Sequence, residues 1–539
     1  VLRLHPCASA ELSGTVSCAR APDGLTHVTR LQIGGSYGGS TITPSCKAAA
    51  PAITPLIADL SHLQALRVSD CGVVGSIPDS IGRLAGLRSL DLSSNRLTGP
   101  IPPGFAGLRH LRSLNLSLNR LSGSIPPSLG GLSELLKLDV SRNQLIGHVP
   151  AELGDLRKLE YWSMAGNLVA GPLPPSLAGL GSLESFFMDS NSLHGDLPGY
   201  MNGRNWPRLR QLGLSGCDYA GHLPAGLRSL ANLTLLDLSN NKLQGEVPSS
   251  IGKLKELVVL DLSRNRLSGE VSPRAFVGMD SLVKLDLSKN MLQGSIPFSI
   301  GSLGGSLKLL DLSYNQFVGQ IPTSFSSLRH LEELNLGHNK GLGGHIPTQI
   351  WPHMEFLMSL DLSNSSYEGQ IPSTFESLKN LRCLDVKKNK FIGDIPMGLE
   401  RLPYLYLLHL NGNNLSGTLP FSLTFVEKLG PNLLLGDGNH GLCSPLRNRF
   451  HRSVKACPTT TSSSTNTRNP ETLQLTSTSS SLLNDTSANS SSTRSNSSSF
   501  DSNHHPTITN NAKLLPITSP IIPIILLHLG LILEAANLF

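Results

Sequence analysis

One sixteen-residue phrase recurs through this chain and constrains its fold more than any other feature. Its clearest copy runs from Leu87 to Pro102, and its general form is L-x-x-L-x-L-x-x-N-x-L-x-G-x-I-P. A fixed period of 24 residues, with exceptions of 25 or 26, predicts a solenoid of stacked coils. The asparagine position recurs fifteen times, at Cys71, Asn95, Asn119, Asn143, Asn167, Asn191, Cys217, Asn241, Asn265, Asn290, Asn315, Asn339, Ser365, Asn389 and Asn413. We number the repeats 1 to 15 in this order.

Each position of the phrase has a physical role. Leu90 and Leu92 alternate to one face of a short strand, and stacking of neighbouring coils buries that face. The Asn95 amide has donors and an acceptor for the turn backbone of adjacent coils. Gly99 permits a backbone conformation that a Cβ opposes, and Pro102 fixes φ where the chain leaves the sheet. The expected fold is an α/β-type solenoid whose concave parallel sheet is roughly 70 Å long, a surface suited to an extended partner.

An aliphatic residue followed by proline closes most repeats, as at Ile77-Pro78, Ile125-Pro126 and Ile395-Pro396. This ending resembles the plant-specific type of extracellular leucine-rich repeat, found in receptor kinases, receptor-like proteins and polygalacturonase inhibitors. The resemblance implies a twisted right-handed superhelix, with a second short strand beside the concave sheet and disulfide caps at both ends.

The two ends and one insertion narrow the resemblance. The segments His27–Leu31, Thr43–Cys46, Leu334–Lys340 and Gly438–Cys443 resemble the Too Many Mouths group of receptor-like proteins, which includes the Piriformospora-insensitive proteins. Membership implies a kinase-less protein on the extracellular face of the plasma membrane. Its implied partners are a leucine-rich-repeat receptor kinase and a secreted peptide ligand, in developmental or microbial signalling.

The chain divides into five segments by composition and repeat phase. We expect an N-terminal cysteine cap at residues 1–62, fifteen leucine-rich repeats at 63–420, a C-terminal cap at 421–457, a disordered linker at 458–513 and a hydrophobic anchor signal at 514–539. The linker is rich in Ser, Thr and Asn, and it has too few apolar groups to offset chain entropy.

Cysteines cluster near the ends of the solenoid, which favours secreted disulfide caps. The pairs we predict are Cys7–Cys18, Cys46–Cys71 and Cys443–Cys457. A buried free thiol is the alternative for Cys71, and the same interpretation applies to Cys217, because both fill asparagine positions. Cys383 is expected on the concave face, with no evident partner.

The apolar tail at residues 514–533 contains three prolines, and no Lys or Arg follows it. It resembles a GPI-attachment signal, with Asn510 as the attachment residue; a single spanning helix is the alternative. Either would hold the protein to a membrane. Seven N-x-S/T sequons are plausible glycan sites in a secreted chain: Asn115, Asn232, Asn364, Asn414, Asn484, Asn489 and Asn496.

Two irregular regions depart from the consensus and are the candidate binding sites. In repeats 5 to 7, strand alternation places Tyr161, Phe187, Asp189 and Gln211 on the concave side. By the same alternation Trp162 and Phe186 point into the core, and an insertion at 199–207 precedes repeat 7. In repeats 12 to 14 the candidate binding residues on the concave side are His338 and Lys388.

Catalysis is the function that the sequence supports least. It contains no kinase loop motifs and no G-x-S-x-G elbow, and the 17 His show no metal-ligand spacing. We therefore expect no enzyme activity, cofactor or metal. The net charge of +6 is modest and its basic clusters lack interleaved aromatics, so nucleic acid is not an expected partner. The alternative function is a cell-wall inhibitor or binder resembling polygalacturonase inhibitors.

Overall fold

The computed structural model of the protein describes residues 16–34, 52–445 and 454–457. Each repeat forms one coil with a three- or four-residue concave strand, and the predicted solenoid with a concave parallel sheet is confirmed. The concave strands of repeats 1 to 15 are Ala65–Val68, Ser89–Asp91, Ser113–Asn115, Lys137–Asp139, Tyr161–Ser163, Ser185–Phe187, Gln211–Gly213, Leu235–Asp237, Val259–Asp261, Lys284–Asp286, Leu309–Asp311, Glu333–Asn335, Ser359–Asp361, Cys383–Asp385 and Leu407–His409.

Neighbouring concave strands pair in parallel with equivalent residues side by side. Leu90, for example, lies between Leu66 and Leu114 of the adjacent coils. All three are buried, because the middle residue of each strand points into the core. Burying a leucine side chain contributes about 1.5–3 kcal/mol, so a column of such residues is the main stabilisation of the stack.

Cap strands extend the concave sheet at both ends. At the start, Val16–Arg20 pairs antiparallel with Thr26–Ile33, which pairs in parallel with the strand of repeat 1. At the other end, Leu433–Leu434 pairs with the strand of repeat 15. The sheet therefore has 18 strands within the described ranges. The caps protect backbone groups that an exposed last coil would leave unpaired.

The second short strand implied by the family resemblance is present in every repeat. Together with two strands of the C-terminal cap, these strands form sheets of four, three and ten strands. They are Val74–Ser76, Arg96–Gly99, Arg120–Ser124 and Gln144–Ile146; Ala170–Gly171, Ser192–Asp196 and Asp218–Ala220; and Gln244–Gly245, Arg266–Glu270, Met291–Ser295, Gln316–Gly319, Gly341–His345, Ser366–Gly369, Lys390–Gly393, Asn414–Thr418, Gly441–Ser444 and Lys455–Ala456.

Most coils return through a 3-10 helix on the convex side, which begins directly after the proline of the phrase in most repeats. The one α-helix in the described residues is Leu423–Leu429, whose amide at Phe425 donates to the Ser422 hydroxyl. The 3-10 helices are Pro55–Asp59, Asp79–Arg83, Pro103–Gly107, Pro127–Gly131, Ala151–Asp155, Pro175–Gly179, Ala225–Ser229, Ser249–Lys253, Phe298–Leu303, Thr323–Ser327, Trp351–His353, Ser373–Ser377, Met397–Arg401 and Gly430–Asn432.

In the repeats that carry it, the asparagine bonds the turns of adjacent coils, as predicted. The Asn95 carbonyl accepts from the amides of Cys71 and Val73 at 3.1 and 3.0 Å, and its amide donates to the Val68 carbonyl at 2.7 Å. Asn439 in the C-terminal cap does the same, with its carbonyl 3.0 Å from the Leu415 amide. The ladder of asparagines therefore continues one coil past the last repeat.

The residue before each asparagine position adopts a left-handed backbone conformation, which the sequence pattern did not reveal. Glycine occupies this position in repeats 5, 7 and 15, whereas twelve other repeats carry a residue with a Cβ. Left-handed backbone costs a non-glycine residue roughly 1–2 kcal/mol. The twelve are Asp70, Ser94, Leu118, Arg142, Ser190, Asn240, Arg264, Lys289, Tyr314, His338, Asn364 and Lys388.

The C-terminal disulfide Cys443–Cys457 forms as predicted. Cys18 and Cys71 are each disulfide-bonded as well, so the free-thiol alternative for Cys71 is wrong. Their predicted partners, Cys7 and Cys46, lie outside the described residues, so those pairings stay predictions. The other two cysteines in the described ranges are buried thiols, Cys217 and Cys383.

The linker, the apolar tail, Asn510 and three of the sequons (Asn484, Asn489 and Asn496) lie outside the described residues. Inside those ranges, none of the helices has the length and apolar character that a bilayer crossing requires.

Candidate functional site

The third residue of a consensus concave strand has a structural role that limits what this surface can do. The carboxylate of Asp261 accepts from the amide and the hydroxyl of Ser263 at 3.0 and 2.6 Å. Asp91, Asp139 and Asp286 bond the serine two residues later in the same way. These aspartates cap the turn after the strand, so they are not free acid–base pairs.

Tyr161, Phe187, Asp189 and Gln211, which we call the aromatic patch, interrupt this pattern. The rings of Tyr161 and Phe187 lie on adjacent concave strands with centroids 6.0 Å apart, and both are partly exposed. The Lys137 ammonium lies 4.7 Å from the centre of the Tyr161 ring, within cation–π range. The structure therefore brings the two predicted aromatics together on the concave face.

A glycine makes room for this patch. A Cβ on Gly213 would lie 2.7 Å from the Phe187 ring and 2.6 Å from the Asp189 carboxylate. Phe187 takes the position of the consensus turn-capping aspartate, and Asp189 instead accepts from the Ser215 amide of the next coil at 2.8 Å. The Gln211 carbonyl accepts from the Ser185 hydroxyl at 2.9 Å. The patch thus combines an aromatic ring at an aspartate position (Phe187) and a carboxylate at a serine position (Asp189) with a glycine (Gly213) that leaves room for both.

The Asp189 carboxyl group is largely buried beside these aromatics. Burial raises its pKa to about 6, against the opposing effect of the Ser215 amide, and the charge of Asp237 raises it further. A carboxyl group with such a pKa changes charge in mildly acidic solution. The polar part of the patch is therefore sensitive to pH.

Buried aromatics support the patch from the core side. Trp162 and Phe186 are fully buried, as alternation predicted, with ring centroids 5.3 Å apart. The insertion at 199–207 places Trp206 against Phe186 at 5.4 Å, and its indole donates to the Leu177 carbonyl at 2.9 Å. The insertion therefore packs on the core-facing Phe186. Trp206 takes the place that a leucine fills three residues before the first leucine of the phrase in most other repeats, and the two extra residues of this repeat, which precede it, concealed that equivalence in the sequence.

The second region is charged. We call Lys284, Asp286, Asp311, Glu333 and Asp361 the charged floor, since all five lie at outward positions of the concave strands of repeats 10 to 13. Lys284 contacts Asp261 at 2.7 Å, and both side chains are largely buried. Burial raises the pKa values of Asp286, Asp311 and Asp361, and neighbouring carboxylates raise them further.

Glu333 is a concave position of the second irregular region whose burial the sequence did not reveal. Its side chain is only 5% exposed, and in the described part of the chain no group donates a hydrogen bond to Oε2. Burial raises its pKa to about 7, and the charges of Asp286 and Asp361 raise it while Lys284 lowers it. Its position varies freely among repeats, so no motif marks it.

His338 and Lys388 lie at the left-handed turn position beside the floor, at the rim of the sheet. The His338 imidazole stacks on Tyr314 with centroids 3.9 Å apart, and its Nδ1 is 2.8 Å from the Asn364 amide nitrogen. Burial lowers the pKa of His338, and the charge of Lys387 lowers it further. His338 is thus held in place, whereas Lys388 is exposed.

Asp385 links two basic side chains at the end of this region. It contacts the Lys387 ammonium, and its Oδ2 lies 3.0 Å from His409 Nδ1. Burial opposes ionisation of Asp385, but these two partners hold its pKa below the usual value. The thiol of Cys383 lies 3.1 Å from the Tyr406 hydroxyl, which is the contact that the sequence did not reveal.

One group of side chains has the composition of a metal site. Asp23, His27 and His62 have ligand atoms within 4.8 Å of one another, and His27 Nε2 is 2.7 Å from the Asp23 carboxylate. Imidazole and carboxylate ligands suit Zn²⁺. The spacing of 35 residues between the two histidines hid this group in the sequence, and it lies in the N-terminal region, far along the chain from both irregular regions.

The described sequon asparagines differ in exposure. Asn232 and Asn414 are exposed, whereas Asn364 is partly buried. Asn115 occupies the third position of a concave strand, where its carbonyl accepts from the Ser117 amide and hydroxyl at 3.1 and 2.8 Å. Glycosylation at all seven sequons stays a prediction.

Comparison with known proteins identifies the leucine-rich-repeat fold as well. A model described as "Leucine rich repeat" matches residues 61–121 and 231–292, and two related repeat models match 306–328 and 327–344. No curated protein sequence matches the chain.

Solved structures of plant receptors resemble it closely. One is the plant peptide hormone receptor RGFR1 in complex with RGF2, with 33% identity, TM-score 0.64 and coverage of 73% of this chain and 66% of that one. Another is the Arabidopsis receptor kinase HAESA with the peptide hormone IDA and the co-receptor SERK1, with 33% identity, TM-score 0.62 and coverage of 75% and 70%. The leucine-rich-repeat ectodomain of the Arabidopsis thaliana receptor kinase GASSHO1/SCHENGEN3, in complex with CASPARIAN STRIP INTEGRITY FACTOR 2, has 28% identity, TM-score 0.56 and coverage of 80% and 59%. The chain spans about two thirds of the first structure.

Proposed function

We propose, on the premise that this chain belongs to the family of plant leucine-rich-repeat receptors, that it is a receptor-like protein that binds a secreted peptide through its concave face. The likeness to receptors solved with peptide hormones supports a ligand-binding role. In this proposal the chain has no kinase of its own, and it acts with a leucine-rich-repeat receptor kinase in developmental or microbial signalling.

The observation that carries the proposal is the aromatic patch. Consensus concave strands present small or acidic groups, and the patch replaces them with two partly exposed rings beside a carboxyl group and an amide. Interfaces concentrate their binding energy in aromatic anchors with a polar rim. Two adjacent, partly exposed aromatic rings on this sheet are consistent with a partner that covers them.

Contacts within the fold hold the patch in place. The absence of a Cβ at Gly213 leaves room for the Phe187 ring and the Asp189 carboxylate, and the Ser215 amide donates to Asp189. The result is a fixed surface, and preorganised surfaces bind with less entropic cost.

Capture by photo-crosslinking tests this proposal in the intact protein. A photoreactive amino acid replaces Gln211 on the concave face of the protein displayed on plant cells, and a matched variant carries it at the convex residue Arg228. We expect Gln211 alone to capture a secreted peptide or a receptor-kinase ectodomain. Equal capture at both positions would contradict the proposal, and capture of a wall enzyme at Gln211 would support the inhibitor alternative.

We further propose that the protein is held at the outer face of the plasma membrane through the segment 514–539, as a GPI anchor attached at Asn510. The observations behind this are the small residues at 510–512, a short spacer and the apolar stretch at 514–533. Treatment of intact cells with phosphatidylinositol-specific phospholipase C should release the protein. Retention on the cells, with the Phe539 end present in the mature chain, would favour a spanning helix instead.

The assignment to the Too Many Mouths and Piriformospora-insensitive group is part of the same proposal. It is supported by the motifs at both ends and by the extra residue in the turn of repeat 12. In the structure this turn leads into the second strand Gly341–His345, and the fully buried Asn339 retains its ladder role there. The insertion therefore alters the rim of the sheet while the core stays regular.

A further inference from the structure

Three side chains of the N-terminal region bring metal-ligating atoms together: Asp23, His27 and His62. Their ligand atoms all lie within 4.8 Å of one another. Two imidazoles and one carboxylate are a ligand set that Zn²⁺ accepts in sites with three protein ligands and an open fourth position. Among the residues that the structure describes, no other set of three His, Cys, Asp or Glu side chains converges in this way.

The strand register of the cap places the two histidines side by side. Strand Thr26–Ile33 pairs in parallel with the strand of repeat 1, so that residues 35 apart in the sequence are neighbours, as Arg30 and Ala65 are. His27 and His62 have the same separation, and their imidazole rings stack with centroids 3.9 Å apart. Backbone pairing between the cap and the first coil therefore holds the two rings next to each other.

The turn between the two cap strands positions the third ligand, Asp23. Its Oδ1 accepts from the Leu25 amide at 2.8 Å, and its Oδ2 lies 2.7 Å from His27 Nε2. The Leu25 amide, and after it His27, hold the pKa of Asp23 below its usual value, so the group is ionised at neutral pH. Because an ionised carboxylate only accepts, the proton between the two groups is on Nε2 of His27.

The three ligand atoms are close to the spacing that a metal ion needs. Zinc–ligand bonds of about 2.0–2.2 Å in a tetrahedral site put neighbouring ligand atoms about 3.4 Å apart. Separations from 2.7 Å to at most 4.8 Å differ from that value by no more than about 1.4 Å. Side-chain rotation covers such a shift, because Asp23 and His62 are exposed and His27 is partly exposed.

We propose that Asp23, His27 and His62 bind one Zn²⁺ ion, which ties the cap hairpin of residues 16–33 to the first coil. Zn²⁺ takes the place of the proton that His27 Nε2 donates to Asp23, and this proton passes to solvent. A water molecule fills the fourth position. Mg²⁺ and Ca²⁺ prefer oxygen ligands, so the imidazole pair selects against them.

Zinc titration of the full-length protein, stripped of metal beforehand, tests the inference. His110 provides the matched control, since it is an exposed histidine at the position of repeat 3 that His62 occupies in repeat 1. Calorimetry should detect one Zn²⁺ site that Asp23→Asn and His62→Ala each weaken at least about tenfold. His110→Ala should leave this site unchanged, and an equal concentration of Mg²⁺ should not compete for it.

Chemical modification identifies the ligands residue by residue. Diethyl pyrocarbonate reacts with free imidazole nitrogens, and mass mapping measures the reaction of each histidine separately. Zn²⁺ should slow the reaction of His27 and His62 several-fold and leave that of His110 unchanged. Zinc binding that survives both Asp23→Asn and His62→Ala, or equal protection of His110, would overturn the site in favour of adventitious binding to surface histidines. Absence of zinc binding to the folded protein would overturn it as well.

Discussion

The aromatic patch and the charged floor both depart from the repeat consensus, but they differ in whether neighbouring groups compensate the altered side chains. In the patch, Gly213 yields space to Phe187, and Asp189 finds the Ser215 amide, so each change is compensated within the fold. In the floor, Glu333 is buried with no donor for Oε2. The altered groups of the patch are thus compensated by their neighbours, whereas burial of Glu333 in the floor carries a cost to stability that rises as the carboxyl group ionises.

The turn positions of the two regions also differ. Glycine occupies the left-handed position in repeats 5 and 7 around the patch, where it avoids strain. Repeats 11 to 14 place Tyr314, His338, Asn364 and Lys388 there. Twelve of the fifteen repeats carry a residue with a Cβ at this position, so the glycines of repeats 5 and 7 are the exception and the side chains of repeats 11 to 14 follow the rule.

Replacing the buried tryptophans beneath the two regions should have the largest effect on stability. Trp206 lies under the patch and Trp351 under repeats 12 and 13, both fully buried, but only Trp206 has a partner for its indole N–H. Alanine at either position should destabilise by about 3–5 kcal/mol. Phenylalanine should separate them, with Trp206→Phe costing about 1 kcal/mol more than Trp351→Phe, because it leaves the Leu177 carbonyl unpaired. Denaturant midpoints of the four variants provide the measurement, and equal costs for the two phenylalanine variants would be the opposing result.

The next largest expected effect is on the pH dependence of stability, and it concerns Glu333 in the charged floor. The pKa of Glu333 is raised from 4.5 to about 7 in the folded protein, so the unfolded chain loses this proton first as pH rises. The free energy of unfolding should therefore fall between about pH 4.5 and 7 on account of Glu333. Glu333→Gln removes that loss and should raise stability at pH 7.5 by about 2–3 kcal/mol, with no gain at pH 4.

The matched control for that measurement is Glu332→Gln. Glu332 is paired with Lys308 of the adjacent coil, and partly exposed ion pairs contribute little, so its replacement should change the free energy of unfolding only slightly. Thermal midpoints across the pH range compare the two variants. A Glu333→Gln profile parallel to that of the unmodified protein would show that the carboxylate is satisfied by solvent.

The smallest expected effect on stability comes from replacing the left-handed residue before the asparagine position. Lys388 is exposed and left-handed, so Lys388→Gly relieves backbone strain without removing a buried contact. We expect a gain of about 0.5–1 kcal/mol after the entropy cost of glycine. The reverse change, Gly166→Lys beside the patch, should destabilise by a similar amount. Opposite signs in a thermal-shift experiment would support the comparison, and equal signs would weaken it.

The repeat phrase was sufficient to predict the architecture, because each leucine and asparagine has the same environment in every coil. Alternation along a strand correctly placed Trp162 in the core and Phe187 on the concave face. Three features escaped for different reasons. The equivalence of Trp206 to a repeat leucine is concealed by two extra residues before it, the burial of Glu333 depends on neighbouring coils, and the left-handed turn at His338 is a backbone property.

The candidate site was therefore predicted in its outline but not in its physical character. The sequence identified two irregular regions and the residues that mark them. It did not show that Gly213 accommodates Phe187, because a missing Cβ is informative only when the neighbouring coil is in place. Nor did it show that His338 stacks on Tyr314 of the preceding repeat.

The affinity of the captured partner for a double variant of the patch tests the central claim most directly. Tyr161→Ser with Phe187→Ser removes both rings, and Phe298→Ser removes an exposed ring on the convex side as the control. With normal secretion of all proteins, the double variant should lose more than about 2 kcal/mol of binding free energy, roughly 30-fold in Kd, while the control keeps its affinity. Unchanged affinity in a folded double variant would contradict the account and move the binding site to the charged floor beside His338 and Lys388.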